Sequence, residues 1–200
     1  VIEAATENLE LKLKIFRQLD ELAAPGAIIA SNTSSISISR LAAATRRPEK
    51  VIGMHFFNPV PVMALIELVK AITTSEETVE FARAFGVMLG KTTVESRDRA
   101  GFIVNRLLIP YLYDAIRLYE RGFATREDID TAIQLGLAHP MGPLALADFI
   151  GLDTTYYIAQ IMHAEFGKPM YAPPPLLKRM VLAGHLGRKS GKGFYDHRAT

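Results

Sequence analysis

The sequence predicts an α/β domain followed by an all-α domain: a mixed sheet with helices in the first half, and helices alone in the second. Three observations predict it. Short apolar runs without polar alternation, at residues 27–30, 51–56 and 64–69, suit strands covered on both faces. Helical apolar stripes lie between them, and after residue 96 only helical patterns follow. The boundary therefore falls at the basic stretch near residue 97, dividing the chain into residues 1–97 and 98–200.

The elements follow in order. Val1-Ile2-Glu3-Ala4-Ala5 reads as the end of a buried strand, so the chain is expected to be truncated or processed. Leu11, Ile15, Leu19, Leu22 and Ala23 form a helical stripe stopped by Pro25-Gly26. The strand at residues 27–30 runs into a polar loop, Ser31-Asn32-Thr33-Ser34-Ser35, and a short helix is expected over residues 37–44. Strands at 51–56 and 64–69 follow. Ser75 is placed to cap a helix that reaches Leu89 and stops at Gly90. Residues 92–95 read as a last strand at the sheet edge.

In the second half, residues 102–120 form a long helical pattern with a kink expected at Pro110. Thr125 and Asp128 resemble a capping box that starts the next helix. Asp153 is expected to cap a helix through Phe166, and residues 176–183 form another beyond Pro173-Pro174-Pro175. There is no internal repeat.

One connection sets a local topology. Residues 57–63 contain Asn58-Pro59-Val60-Pro61 and are too few for a parallel crossover, so the strands they join should be antiparallel if adjacent. A pairing centred on Pro61 then brings Glu67 opposite His55.

Composition narrows the function. Hydrophobic residues make up 49% and charged residues 22% of the 200, an ordinary balance for a folded chain. Lys and Arg number 23 against 21 Asp and Glu, a net charge of +2, so nothing asks for a nucleic acid or an anionic membrane. Cysteine is absent, which excludes disulfides and thiolate chemistry and fits a reducing cytoplasm. No apolar run approaches the ~20 residues that span a bilayer. The five histidines show no metal-ligand spacing, and neither a G-x-S-x-G elbow nor a Walker P-loop occurs.

His55 stands apart because it ends a strand, and ligands of open α/β sheets bind beyond strand ends. A carboxylate beside an imidazole fixes its tautomer and stabilises the imidazolium, which equips it as a general base. A core histidine with an exposed glutamate is the bland alternative. Glu67 sits in the apolar run Leu65-Ile66-Glu67-Leu68-Val69, where an unpaired carboxylate is costly, and this favours function. Asn32 and Ser34, on the loop at the same sheet end, are candidate donors to a ligand, although turn formation or helix capping explains them equally. Asn58 and Asn105 have similarly plain explanations, a turn and a helix start. Gly187, Gly191 and Gly193 with Arg188, Lys189 and Lys192 read as a flexible basic loop.

The runs Ser31-Asn32-Thr33-Ser34-Ser35, His55-Phe56-Phe57-Asn58-Pro59-Val60-Pro61-Val62-Met63 and Gly101-Phe102-Ile103-Val104-Asn105-Arg106 together resemble the short-chain L-3-hydroxyacyl-CoA dehydrogenases. So do Glu7-Asn8-Leu9, His139-Pro140-Met141-Gly142-Pro143, Gly151-Leu152-Asp153-Thr154-Thr155 and Gly191-Lys192-Gly193-Phe194-Tyr195, across essentially the whole chain. The resemblance is greatest to the bacterial 3-hydroxybutyryl-CoA type.

The resemblance implies a truncated Rossmann-type sheet and a helical domain for substrate binding and dimerisation. It implies NAD as cofactor, an acyl-CoA substrate, a cytoplasmic homodimer and a place in fatty-acid β-oxidation. His55 would be the catalytic base, Glu67 its orienting carboxylate, and Ser34 and Asn105 would surround the substrate C3 oxygen. Asn58 would lie beside substrate and nicotinamide. Glu7, Lys12, Asn32 and Lys189, with Ser34 and Asn58, would line the NAD site.

One departure matters. The family's G-x-G-x-x-G turn, where a pyrophosphate meets a helix N-terminus, does not occur in these 200 residues. The expectation is therefore a chain that, alone, binds NAD weakly and turns over little. Two alternatives stand beside the dehydrogenase: a non-catalytic oligomerisation fragment, and a hydroxy-acid dehydrogenase of the lambda-crystallin type.

Overall fold

Strand pairing organises the first half of the protein. Strands β1 (Ile2–Glu3), β2 (Ile29–Ser31), β3 (Val51–Phe56), β4 (Leu65–Lys70) and β5 (Thr92–Arg97) form one sheet in chain order. The computed structural model describes residues 1–198, in two units, one from Val1 to Ile103 and one from Val104 onward. Pairing is parallel from β1 to β3, antiparallel between β3 and β4, and parallel again between β4 and β5. The sheet is mixed because the short 57–63 connection permits only a reversal.

Alternation along the strands explains the layers. Ile29, Val51 and Val69 face one way, into a core with Phe16 of α1 (Leu9–Leu22) and Ile38 and Leu41 of α2 (Ile38–Ala42). Ala30, Ile52, Met54, Ile66 and Leu68 face the other way, against Val79 and Ala82 of α3 (Glu76–Met88). Every one of these strand residues is almost fully buried, as unalternating apolar runs require. Ser75 caps α3, its hydroxyl accepting from Thr78 N.

β1 is shorter than the five residues expected. Ala5 N–H turns back to donate to the Glu3 carboxylate at 2.6 Å, which takes the chain out of the ladder. β2 begins at Ile29 and carries on to Ser31, one residue into the polar run.

The second unit contains α4 (Val104–Glu120), α5 (Arg126–Gly136), α6 (Pro143–Ile150), α7 (Leu152–Phe166) and α8 (Pro175–Leu182). Ile109, Leu112, Tyr113 and Ile116 of α4 are buried with Leu144, Ala147, Ala159, Met162 and Leu177. Leu107 is exposed on the same helix, and α4 runs through Pro110 as one helix. Thr125 caps α5, accepting from Asp128 N.

Three features of this unit differ from expectation. α6 is a helix that periodicity does not announce. Its N-terminal N–H groups are capped from another helix: buried Asp130 of α5 accepts from Leu144 N at 2.8 Å and Ala145 N at 2.9 Å. Gly142 is required there, since a Cβ would lie 2.4 Å from the Asp130 Cα. Asp153 is inside α7 rather than its cap, because Gly151, with φ +103°, makes the whole connection between α6 and α7. The Gly-rich basic stretch is also no loose loop. Buried Asp148 accepts from Phe194 N and Tyr195 N, both at 2.9 Å, and pairs with His197 Nε2 at 2.9 Å.

Candidate active site

Register places the central pair. His55 ends the core of β3 and stands opposite Glu67 in the antiparallel ladder. Their side chains meet at 2.7 Å, His55 Nδ1 to Glu67 Oε2. His55 is 5% exposed and Glu67 is sealed off completely, so the carboxylate works through the imidazole and not through solvent. The other Glu67 oxygen accepts from Ile103 N at 3.0 Å.

The tautomer follows from these partners. A carboxylate accepts only, so Nδ1 carries the hydrogen and Nε2 of the neutral ring is an acceptor. Ser34 Oγ lies 3.0 Å from Nε2, where its hydroxyl donates to the ring and leaves its lone pairs outward. Phe57 and Phe102 flank the imidazole, with ring centroids 4.6 Å and 5.4 Å away.

The loop carrying Ser34 is held from β1's side of the sheet. The Glu7 carboxylate accepts from Thr33 Oγ1 at 2.7 Å, Ser34 N at 2.9 Å and Ser35 Oγ at 3.0 Å. Asn32 Oδ1 accepts from Phe56 N at 2.9 Å, which ties the loop to the end of β3 and fixes the direction of its amide. Sequence alone marked Glu7 only through resemblance. Its signal was local: three hydroxyl residues in a row need an acceptor.

Lys12 occupies a different environment from that of a solvent-facing cation. It is buried on α1, its Nζ 2.8 Å and 2.7 Å from the two Glu3 oxygens, and Ser31 Oγ donates to Glu3 at 2.8 Å. Burial raises the Glu3 carboxyl, but the bonds from Lys12, Ala5 N and Ser31 outweigh it and hold the group below its ordinary 4.5.

Glu3, Glu7, Asn32, Ser34, His55 and Glu67 thus belong to one network at the sheet end of the first unit. Asn58 is exposed on the turn just past β3, before a cis Pro59. Asn105 and Lys189 belong to the second unit. Asn105 is buried in the first turn of α4, and Lys189 Nζ pairs with Asp153 Oδ2 at 2.6 Å.

The arrangement can take a proton at His55 Nε2 and hold the resulting cation against a buried carboxylate. No cluster of metal-binding side chains exists among the described residues, and none of their helices is long and apolar enough to cross a membrane. A redox cofactor fits the surroundings. The parallel strands β1, β2 and β3 end together at this network, and the side-chain nitrogens of Asn32 and Asn58 make no hydrogen bond among the described residues.

Comparison with known proteins gives the family of the chain. The NAD binding domain of 3-hydroxyacyl-CoA dehydrogenase matches residues 1–99, and the C-terminal domain of the same enzyme matches residues 101–197. The chain belongs to the 3-hydroxyacyl-CoA dehydrogenase family. It is 55% identical to a 3-hydroxybutyryl-CoA dehydrogenase of Mycobacterium tuberculosis, over 98% of this chain and 70% of that one. It is 50% identical to human mitochondrial hydroxyacyl-coenzyme A dehydrogenase, over 99% of this chain and 63% of the relative. The crystal structure of M. tuberculosis FadB2 superposes with a TM-score of 0.96 at 55% identity, covering 98% of this chain and 70% of FadB2. That of (S)-3-hydroxybutyryl-CoA dehydrogenase PaaH1 from Ralstonia eutropha gives 0.96 at 50%, with the same coverage. Family membership makes the protein an oxidoreductase, and its first half a match to an NAD-binding domain.

Proposed function

We propose that this family member oxidises L-3-hydroxyacyl-CoA to 3-ketoacyl-CoA with NAD, and runs the reverse reaction, with 3-hydroxybutyryl-CoA as the principal substrate. The observation that carries the proposal is the imidazole of His55 held between Glu67 and Ser34 at the end of β3. Bound NAD supplies the hydride acceptor.

The chain's own residues handle the proton. His55 Nε2 takes it from the C3 hydroxyl, and the imidazolium shares its charge with Glu67 through the 2.7 Å bond. Ser34, already donating to Nε2, is positioned to exchange that bond for one to the C3 oxygen. In the reverse direction protonated His55 is the general acid. Asn105 is assigned to the substrate oxygen, and Asn58 to the space between substrate and nicotinamide. Glu7, Asn32 and Lys189 are assigned to the cofactor side. Lys12 is assigned there too, acting by ordering the end of β1 through Glu3.

In this assignment residues 1–97 belong to the NAD-binding domain, and residues 98–200 bind substrate and form a homodimer. Leu107 and Leu118 of α4, Leu135 of α5 and Leu137 just past its end are exposed apolar side chains, which supports a self-association surface. A cytoplasmic place in fatty-acid β-oxidation fits the substrate.

NADH formation from 3-hydroxybutyryl-CoA and NAD tests the reading. Turnover of that thioester supports it. No turnover of any 3-hydroxyacyl-CoA by protein saturated with NAD, with the acyl chain varied, overturns it.

A further inference from the structure

Residues 98–103 connect β5 to the first residue of α4, and no catalytic duty has been given to them. Yet three of them touch the site network. The Asp98 carboxylate accepts from Ser37 Oγ at 2.8 Å, Ile38 N at 2.9 Å and Ser39 N at 2.7 Å, closing the far end of the loop that carries Ser34. Phe102 lies in the core with Phe16, Val51 and Val69, and its ring meets the His55 ring at an interplanar angle of 64°. Ile103 N donates to the Glu67 oxygen that His55 leaves free.

The backbone explains how one short segment reaches all three. Gly101 has φ +79° and Phe102 φ +46°. A bulky residue with a left-handed backbone is uncommon and persists only where its surroundings hold it. Here the turn sends the Phe102 ring into the core beside His55 and aims the next N–H at Glu67. An ordinary extended backbone at residue 102 would part those two contacts.

We propose that residues 98–103 form a brace for the His55–Glu67 pair, in which Phe102 is a positioning residue acting through His55 and Asp98 one acting through the Ser34 loop. The Ile103 N–H occupies Glu67 Oε1, so Oε2 alone serves the imidazole and the ring keeps a single orientation. The Phe102 ring packs against that ring and limits its rotation, as Phe57 also does. The segment therefore sets proton transfer rather than substrate affinity. This inference rests on His55 being the general base.

The experiment uses Phe102→Leu, which keeps an apolar side chain but removes the ring, and Asp98→Asn, which removes the charge from a partly exposed site. Turnover and KM are measured, with circular dichroism as a folding control. Misplacing a catalytic group by about 1 Å costs up to ~10²-fold, so kcat of Phe102→Leu should fall by about 10-fold or more with KM within about twofold. Asp98→Asn should lower kcat in the same sense by less. The low-field proton NMR signal of His55 Nδ1–H should shift or broaden in both, a readout that mere loss of stability in a folded variant would not move.

Unchanged kcat and an unmoved Nδ1–H signal in folded Phe102→Leu overturn the brace. If that variant does not fold, an unchanged kcat and signal in Asp98→Asn overturn it instead. His55→Ala separates the two readings. Full turnover in His55→Ala removes the general base itself, whereas its loss beside an intact Phe102→Leu removes only the brace.

Discussion

His55 and Glu67 are twelve residues apart in the chain and directly opposite in the sheet, joined side chain to side chain at 2.7 Å. The reversal at residues 57–63 makes this possible. It turns β4 back along β3 and leaves a carboxylate buried in an apolar strand against the imidazole. The same geometry decides what each substitution should do.

His55→Ala should lower turnover by ~10²–10⁴-fold, the usual contribution of general-base assistance, while substrate binding changes little. Steady-state kinetics beside a direct binding measurement checks this. A variant that keeps half of wild-type turnover would remove His55 from the base role.

Glu67→Gln should lower kcat of oxidation, because the amide no longer enforces one tautomer of His55 and no longer offsets the charge the ring takes on. Steady-state kinetics beside His55→Ala checks this. An unchanged kcat would contradict the pairing.

Glu3→Gln should destabilise the first unit by about 3–5 kcal/mol near neutral pH, because it leaves the Lys12 ammonium buried without its counter-ion. The Glu3 carboxyl is held below 4.5 in the folded protein. Its contribution is present above the unfolded value and is lost as pH falls through the folded one. Urea unfolding at two pH values should therefore show the gap between wild type and variant narrowing towards acid.

Asp148→Ala should release residues 187–197 and strand two backbone N–H groups, at about 1–3 kcal/mol for each donor left unsatisfied. Limited proteolysis should then cut near the basic glycines, where wild type resists. Equal resistance would mean that other contacts hold the segment.

Leu107→Lys should weaken self-association of the helical half, because it places a charge at an exposed apolar position of α4. Light scattering across a concentration series measures it. Identical masses for wild type and variant would place the contact surface elsewhere.

Much of the first unit, and the start of α5 in the second, is readable from the sequence. The β3–β4 register follows from counting to the middle of a proline-rich connection, and Ser75, Gly90 and Thr125 announce helix ends by side chain or backbone type. What escapes is what depends on partners far along the chain. α6 has no capping side chain of its own because Asp130, thirteen positions before Pro143, supplies the cap from α5. The Gly187–Lys192 stretch looks mobile because Asp148 lies about forty residues upstream, beyond any local pattern. In the site, the roles of Phe102 and Ile103 rest on a positive φ at a phenylalanine, which residue type argues against.

The buried carboxylate of Asp148 has a bearing on the order in which the protein is made. Its three partners are Phe194, Tyr195 and His197, so α6 leaves the ribosome some forty residues ahead of the groups that satisfy it. The sheet of the first unit has all five strands by Arg97 and waits for nothing downstream to pair them. Synthesis therefore separates the two halves in time: the sheet can close while translation continues, and the helical half can settle only once residues 194–197 have been made.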